Sequence, residues 1–298
     1  MGINRCPSYQ GVMSDSQRPA EWVLHEDAPL DLRYSATELD AVHDRITDFI
    51  ADTVAAAGAD GAVLGLSGGI DSTLTARLAV DALGADGLHG LVMPSEVNRE
   101  TNMSDAERVA TDLGVEYDVV EIGDVVDDVV GKLPRAADDQ TAVGNVRVRT
   151  RAVVNYFLAN AENRVVLGTG NRSEALSGYY TKYGDQAVDC NPIGNLYKQQ
   201  VRQLAAHLDV DDDLVMKEPS AGMWEGQTDE AEMGLGYDRL DAVLALHVAG
   251  DLSTAATVAA LDGVSRDEVE HVDELYAASA HKRAMPPAPD APEPGAEG

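Results

Sequence analysis

Gly65-Leu66-Ser67-Gly68-Gly69-Ile70-Asp71-Ser72 is the stretch whose reading decides the fold. An apolar run, Ala62 to Leu66, leads in, and a helix-like segment, Thr73 to Leu83, leads out. A strand that turns through two glycines into a helix presents bare backbone N–H groups, which suit a phosphate or pyrophosphate. Gly68 and Gly69 permit positive φ and close approach of the backbone to an anion. Ser67 and Ser72 add hydroxyls. Asp71 repels phosphate unless a cation lies between them, which makes it a natural Mg²⁺ ligand. No Lys follows the glycines, so this is not the G-x-x-x-x-G-K-[ST] loop, and it is not G-x-G-x-x-G.

Working outward, Ser35-Ala-Thr-Glu38 reads as a capping box, followed by Leu39, Val42, Ile46, Ile50 and Val54 at helical spacing. After the loop, the pattern predicts a strand over Leu88–Met93 and a helix from the box Ser104-Asp-Ala-Glu107 to Gly114. A strand over Glu116–Ile122 and a helix over Asp124–Leu133 come next. A long helix over Asn145–Asn160 and a strand over Arg164–Leu167 follow, running into Gly168-Thr-Gly170. Alternating strands and helices predict an α/β fold, a mostly parallel central sheet with helices on both faces. Beyond Tyr197 the pattern is helical, and Ser265-Arg-Asp-Glu268 caps the last helix, which ends near His281. Three regions are expected: an N-terminal extension over 1–34, the folded body over 35–284, and a disordered acidic Pro/Ala tail over 285–298.

Acidic residues outnumber basic ones 52 to 22, a formal charge of −30. That charge argues against nonspecific nucleic-acid binding through the overall field and leaves a local basic site open. Acid excess with only five lysines (Lys132, Lys182, Lys198, Lys217 and Lys282) reads as adaptation to high salt, a halophilic character. Two cysteines, Cys6 and Cys190, make neither a disulfide framework nor a metal cluster. With no membrane-length apolar run and no signal pattern, a cytoplasmic location and no membrane partner are expected.

The densest chemistry lies between Gly168 and Lys198: Gly168-Thr-Gly-Asn-Arg-Ser-Glu174, Thr181-Lys-Tyr-Gly-Asp185, Asp189, and Pro192-Ile-Gly-Asn-Leu-Tyr-Lys198. Glycines, carboxylates, lysines and tyrosines crowd here without apolar periodicity, the mark of a segment that builds a site. The loop at 67–72 resembles the S-G-G-x-D-S loop of the ATP pyrophosphatases. Together with Asn145-Val-Arg-Val-Arg-Thr-Arg151, the segment Lys217 to Glu230 and His281-Lys282, the ordered set resembles the ammonia-dependent NAD⁺ synthetases over roughly residues 35 to 284.

That resemblance implies an adenine nucleotide alpha hydrolase-like, Rossmann-like fold with a helical C-terminal part. It also implies amidation of deamido-NAD⁺ with ammonia through an acyl-adenylate, releasing AMP and pyrophosphate, the last step of NAD⁺ biosynthesis. ATP and Mg²⁺ are the implied co-substrate and metal, and a homodimer is the implied assembly. It places ATP on Gly65, Leu66, Ser67, Gly68, Gly69, Ile70, Asp71, Ser72, Thr169, Lys198 and Ser220, and Mg²⁺ on Asp71 and Glu174. Arg149, Lys182, Asp189, His281 and Lys282 fall on deamido-NAD⁺ positions. Lys198 suits a counter-charge during transfer at the α-phosphorus, and Asp185 is the candidate acceptor for the proton that ammonium must lose. No stretch matches a glutaminase domain, so free ammonia is the expected donor unless a separate amidase supplies it.

Each of these residues also has a plainer reading. Glu174 fits a helix start, Lys182 and Lys198 surface charges, and Arg149 a helix ion pair. Ser220 fits a cap, Thr169, Asp185 and Asp189 turn positions, and His281 and Lys282 a helix C-terminus. The competing functions are another ATP-pyrophosphatase ligase, of the GMP synthetase or tRNA-thiolation kind, and a non-catalytic nucleotide-binding module.

Overall fold

The structure is a computed structural model that describes residues 32–94, 99–224 and 226–289. The proposed N-terminal extension before Leu32 and the tail after Pro289 lie outside the described residues. In order, the elements are α1 (Ala36–Ala57), β1 (Gly61–Leu66), α2 (Ile70–Leu83), β2 (Leu88–Val92), α3 (Arg99–Leu113) and β3 (Glu116–Val119). Then come α4 (Gly123–Lys132), α5 (Gln140–Ala161), β4 (Arg164–Leu167), α6 (Arg172–Ser177), α7 (Lys198–His207), α8 (Asp212–Val215) and α9 (Asp229–Met233). Helix α10 (Tyr237–Val243) widens into a π-helical turn over Leu244–Val248, and α11 (Thr254–Ala260), α12 (Arg266–Ala278) and α13 (Ala280–Arg283) complete the chain.

The four strands pair in the order β3-β2-β1-β4, all parallel. Alternate residues of β1 face opposite layers. Ala62, Leu64 and Leu66 pack into a core with Leu39, Ile50, Leu74, Val109 and Leu204 from α1, α2, α3 and α7. Val63 joins Ile122, Val126 and Ala159 on the other face, where α4 and α5 lie. Helices on both sides cover β1, β2 and β4, which are buried along nearly their whole length, while the edge strand β3 is largely exposed. A separate core, built on Leu240, Val243, Leu244, Val269 and Val272, gathers the C-terminal helices and takes in Leu32.

The capping boxes at Ser35 and Ser265 are formed. Other boundaries shift. Helix α2 begins at Ile70, so Asp71 and Ser72 lie in its first turn. Helix α3 begins at Arg99, which leaves Ser104-Asp-Ala-Glu107 inside the helix and not at its cap. β3 stops at Val119, after which Val120 still donates its N–H to the Val92 carbonyl at 2.9 Å before the chain departs. The last helix breaks at Ser279, leaving α13 as a separate turn. Among the described residues, no helix is long and apolar enough to cross a membrane.

Sheet order sets the site. From β1 the chain moves one way through β2 and β3, then returns to the other side of β1 as β4. The carboxyl ends of β1 and β4 are therefore the topological switch point, where open α/β sheets bind ligands.

Candidate active site

At the carboxyl end of β1 the phosphate loop is held by its own hydroxyls. Ser67 N–H donates to Ser72 Oγ at 3.2 Å, Ser72 Oγ donates to the Gly69 carbonyl at 3.0 Å, and Gly69 N–H donates to Ser67 Oγ at 3.3 Å. Gly68 has φ of +70°, which requires glycine. Gly69 does not share that conformation: at φ −99° it is the N-cap of α2 and carries no side-chain cap. The first turn of α2 thus faces the cavity without a competing cap, as an anion site needs.

Around this loop a cavity of about 1050 Å³ opens at the switch point. Its wall includes every expected ATP residue except Gly68, which borders it between lining neighbours, together with Glu174, Asp185 and Lys282.

The charged centre joins three helices. Asn171 caps α6 in a capping box with Glu174, and its Nδ2 donates to Asp71 Oδ1 at 2.9 Å. Lys198, the first residue of α7, is buried. Its ammonium pairs with Asp71 Oδ2 and lies 3.8 Å from Glu174 Oε1. Burial, then the neighbouring Asp71 charge, pushes the Glu174 carboxyl well above the usual range. Burial works against the Lys198 ammonium, but Asp71 and Glu174 outweigh it and hold its pKa above normal. Lys198 is therefore a buried, paired ammonium and not a surface charge. Asp71 and Glu174 suit a hard cation: both are oxygen donors, and their mutual repulsion is relieved by positive charge. Among the described residues no third His, Cys, Asp or Glu completes a protein-only metal cage. Two carboxylates, with phosphate and water supplying the rest, is the pattern Mg²⁺ accepts.

Asp185 has exposed surface on the cavity wall but is crowded by protein, and that burial pushes its carboxyl up to about 6 although Thr181 N–H donates to it at 2.8 Å. Lys282 Nζ donates to the Gly178 and Tyr180 carbonyls at 2.6 and 2.8 Å, and burial lowers its pKa.

The remaining expected substrate residues stand apart from the cavity wall. Arg149 donates to the Lys182 carbonyl at 3.1 and 3.3 Å, and Lys182 Nζ donates to the His281 carbonyl, so the three are linked through Lys182 of the 181–185 loop. Asp189 is engaged within the chain: its Oδ2 accepts from Val166 N–H at 2.7 Å and its Oδ1 from Tyr156 Oη at 3.1 Å. Ser220 Oγ donates to the Gln227 carbonyl at 2.6 Å and accepts from Gly222 N–H at 3.1 Å, shaping its loop while lining the cavity. Cys190 is half-buried, and burial raises its thiol to about 11, unlike a nucleophile.

A family model described as NAD synthase matches residues 42–286. The chain belongs to the NAD synthase family. The NH(3)-dependent NAD(+) synthetase of Halobacterium salinarum strain R1 is 65% identical over 262 residues, covering 88% of this chain and 97% of that protein. Among solved structures, an NH3-dependent NAD synthetase from Campylobacter jejuni, in complex with the nitrate ion, superposes with a TM-score of 0.72 at 29% identity. That match covers 85% of this chain and 99% of the other. An NMN synthetase from Francisella tularensis superposes with a TM-score of 0.75 at 33% identity, covering 87% and 100%.

Two further charged residues, Lys217 and Asp229, line the same cavity. Lys217 Nζ donates to the Gly68 carbonyl at 3.0 Å and to Asp105 Oδ2 at 2.7 Å. Asp229, also on the cavity wall, accepts from Tyr237 Oη at 2.9 Å, and burial raises its pKa. Both lie in the segment Lys217 to Glu230 that carried part of the resemblance, which was the available signal.

Proposed function

We propose that this NAD synthase joins ammonia to the nicotinate carboxylate of deamido-NAD⁺ at the expense of ATP. The observation that carries this reading is the convergence of the phosphate loop, the Asp71–Lys198–Glu174 centre and Asp185 on one cavity. Two reaction centres are needed, one for a triphosphate and one for an amine that must lose a proton, and the cavity offers both.

The α2 amides and Ser67 and Ser72 hydroxyls hold the β- and γ-phosphates, with Thr169 and Ser220 along the same wall. A nicotinate carboxylate oxygen forms a bond to the α-phosphorus, and the bond from that phosphorus to the bridging oxygen breaks, releasing pyrophosphate. Lys198 stands beside this exchange as a fixed positive charge, strengthening its hold as charge builds on the leaving group. Mg²⁺, held by Asp71 and Glu174, would supply charge neutralisation on the phosphates. Asp185, as a carboxylate, takes a proton from ammonium; the freed ammonia bonds to the acyl carbon, the bond from that carbon to the AMP phosphate oxygen breaks, and the new amide nitrogen sheds its second proton to solvent. Lys282 borders the acyl end of the cavity. Arg149, Lys182 and His281 offer cationic and polar groups for the dinucleotide beside the 181–185 loop, and Asp189 ties the segment after that loop to β4 and α5. A homodimer is part of this proposal.

The deciding assay follows pyrophosphate release from ATP in high salt with Mg²⁺. Release that requires both deamido-NAD⁺ and ammonium is expected; no release overturns the reading. Because one structural neighbour is named an NMN synthetase, a parallel arm offers nicotinate mononucleotide, and faster turnover there would move the substrate assignment. Efficient use of glutamine by the pure chain would refute free ammonia as the donor.

A further inference from the structure

Helix α7 begins at Lys198, and the first amides of a helix have no partners inside it. Tyr197 at the cap position makes no side-chain cap bond. The partners come from elsewhere. Lys198 N–H donates to Ser173 Oγ at 2.9 Å, and Gln199 N–H donates to Asp241 Oδ2 at 3.0 Å. Ser173 Oγ in turn donates to the other Asp241 oxygen. Ser173 and Asp241 are both fully buried.

One turn earlier on α10, at the i, i+4 spacing that puts two residues on one helix face, stands Tyr237. Its ring lies 5.3 Å from Lys198 Nζ, a cation–π distance. The same face of α10 therefore grips both ends of Lys198, the backbone through Asp241 and Ser173, the ammonium through the Tyr237 ring. A lysine carries four rotatable bonds, so holding its ammonium against Asp71 needs more than one anchor.

We infer that Asp241 is a positioning residue for this reaction, fixing Lys198 through Ser173 and the α7 amides. The inference rests on the ligase reading above. A neutral Ser or Asn would satisfy helix amides at less cost in desolvation. A buried carboxylate is the more expensive choice, and here burial pushes Asp241 up to about 7 despite the bonds it accepts. What the carboxylate adds is two acceptor oxygens that hold α6 and α7 at once, with Ser173 next to Glu174 on one side and Lys198 on the other.

The test is Asp241→Asn and Ser173→Ala in the full-length enzyme with ATP, Mg²⁺, deamido-NAD⁺ and ammonium. Asn keeps the shape but removes the charged acceptor: with its Oδ1 accepting from Gln199 N–H, its NH₂ faces Ser173 Oγ, so the charge-assisted bond from the Ser173 hydroxyl is lost. Expected is a fall in kcat of about tenfold to a hundredfold, the size of one misplaced hydrogen bond to a charged group, with the ATP KM within about threefold. Ser173→Ala should match it, and the double variant should fall little further. Wild-type kcat in folded Asp241→Asn, or a raised KM at unchanged kcat, overturns the inference. Should Asp241→Asn fail to fold, Ser173→Ala with full kcat overturns it alone. Should wild type fail on deamido-NAD⁺, the ligase reading falls separately. Displacement of the Lys198 side chain in a crystal structure of Ser173→Ala then supports positioning, and an unmoved side chain overturns it.

Discussion

The Lys217 ammonium stands 3.0 Å from the carbonyl oxygen of Gly68, 149 residues away in the chain. The phosphate loop lacks a lysine of its own, and the fold brings one to it from the segment after α8. Asp105 on α3 holds the same ammonium at 2.7 Å, so the cation is oriented as well as present. Lys217→Met should therefore weaken ATP binding. A charge-assisted contact from Lys217 to a phosphate held by this loop would be worth about 1.5 to 3 kcal/mol, so its removal corresponds to roughly a tenfold to hundredfold rise in the ATP KM. Initial-rate kinetics over a range of ATP concentrations measure it, and an unchanged KM would show that Lys217 only ties the loop to α3.

Asp71→Ala is expected to end turnover and also to weaken the fold. Asp71 accepts from Asn171 and pairs with a buried Lys198, so its removal leaves an enclosed ammonium with Glu174 as the remaining ion-pair partner, 3.8 Å away. Breaking a buried pair in this way costs about 3 to 5 kcal/mol. Thermal unfolding should show a clear drop in midpoint for Asp71→Ala and a smaller one for Asp71→Asn, while pyrophosphate release is lost in both. Wild-type turnover by Asp71→Asn would refute the role assigned to the carboxylate.

How much of this was legible in the chain depends on the range of the interaction. Strand β4, the Ser35 and Ser265 boxes and the turn at Gly68 are local patterns, readable within a few residues. The box at Ser104 is just as local and misleads, because the same spacing occurs inside a helix that starts at Arg99. Asp241 reads as one more acid in a helical run; nothing nearby in sequence says that Ser173 and Gln199 will meet it. The resemblance named Lys198 and Glu174, but their mutual charge coupling with Asp71 exists only once β1 and β4 are neighbours.

Turnover should depend on pH through Asp185. Its carboxyl, raised to about 6 by burial, faces the charges of Lys282 and Arg151 and the Tyr180 hydroxyl. Below that pH it is protonated and accepts no proton from ammonium. The kcat at saturating substrates should then fall by about tenfold per pH unit on the acid side and level off above it. Asp185→Asn should lose both the rate and this limb. The same shift affects stability with a definite sign. The unfolded chain releases this proton near 3.8 and the folded one near 6, so the contribution favouring the native state is full below the first value and lost as pH rises through the second. A kcat that stays flat across pH 5 to 7 would remove Asp185 from the proton-accepting role.

Salt should stabilise the protein. A formal charge of −30 repels itself, and ion pairs such as Arg108 with Asp213 at 2.8 Å leave that net excess unchanged. Between about 0.1 M and about 1 M KCl the Debye length contracts from about 10 Å to about 3 Å, which screens repulsion between surface carboxylates. The unfolding midpoint should rise over that range, and dialysis to low salt should reduce both stability and activity. A midpoint indifferent to salt would refute a halophilic origin for the acidic surface.

The chain has two phenylalanines, and both stand exposed, Phe49 at 45% and Phe157 at 76%. On α5, Val153 lies one turn from Phe157 and is 69% exposed, while α4 presents Val125 and Val129 outward in the same i, i+4 relation. Apolar side chains this open on two helices that share a core with each other ask for cover. In the proposed homodimer α5 supplies part of that cover. Phe157→Glu places a charge where a second copy would pack, so light scattering should show a monomer at concentrations where wild type is a dimer. Circular dichroism should be unchanged, because Phe157 contributes little to the interior. A wild-type chain that is monomeric at micromolar concentration, or a Phe157→Glu dimer as tight as the parent, would refute this use of the α5 surface.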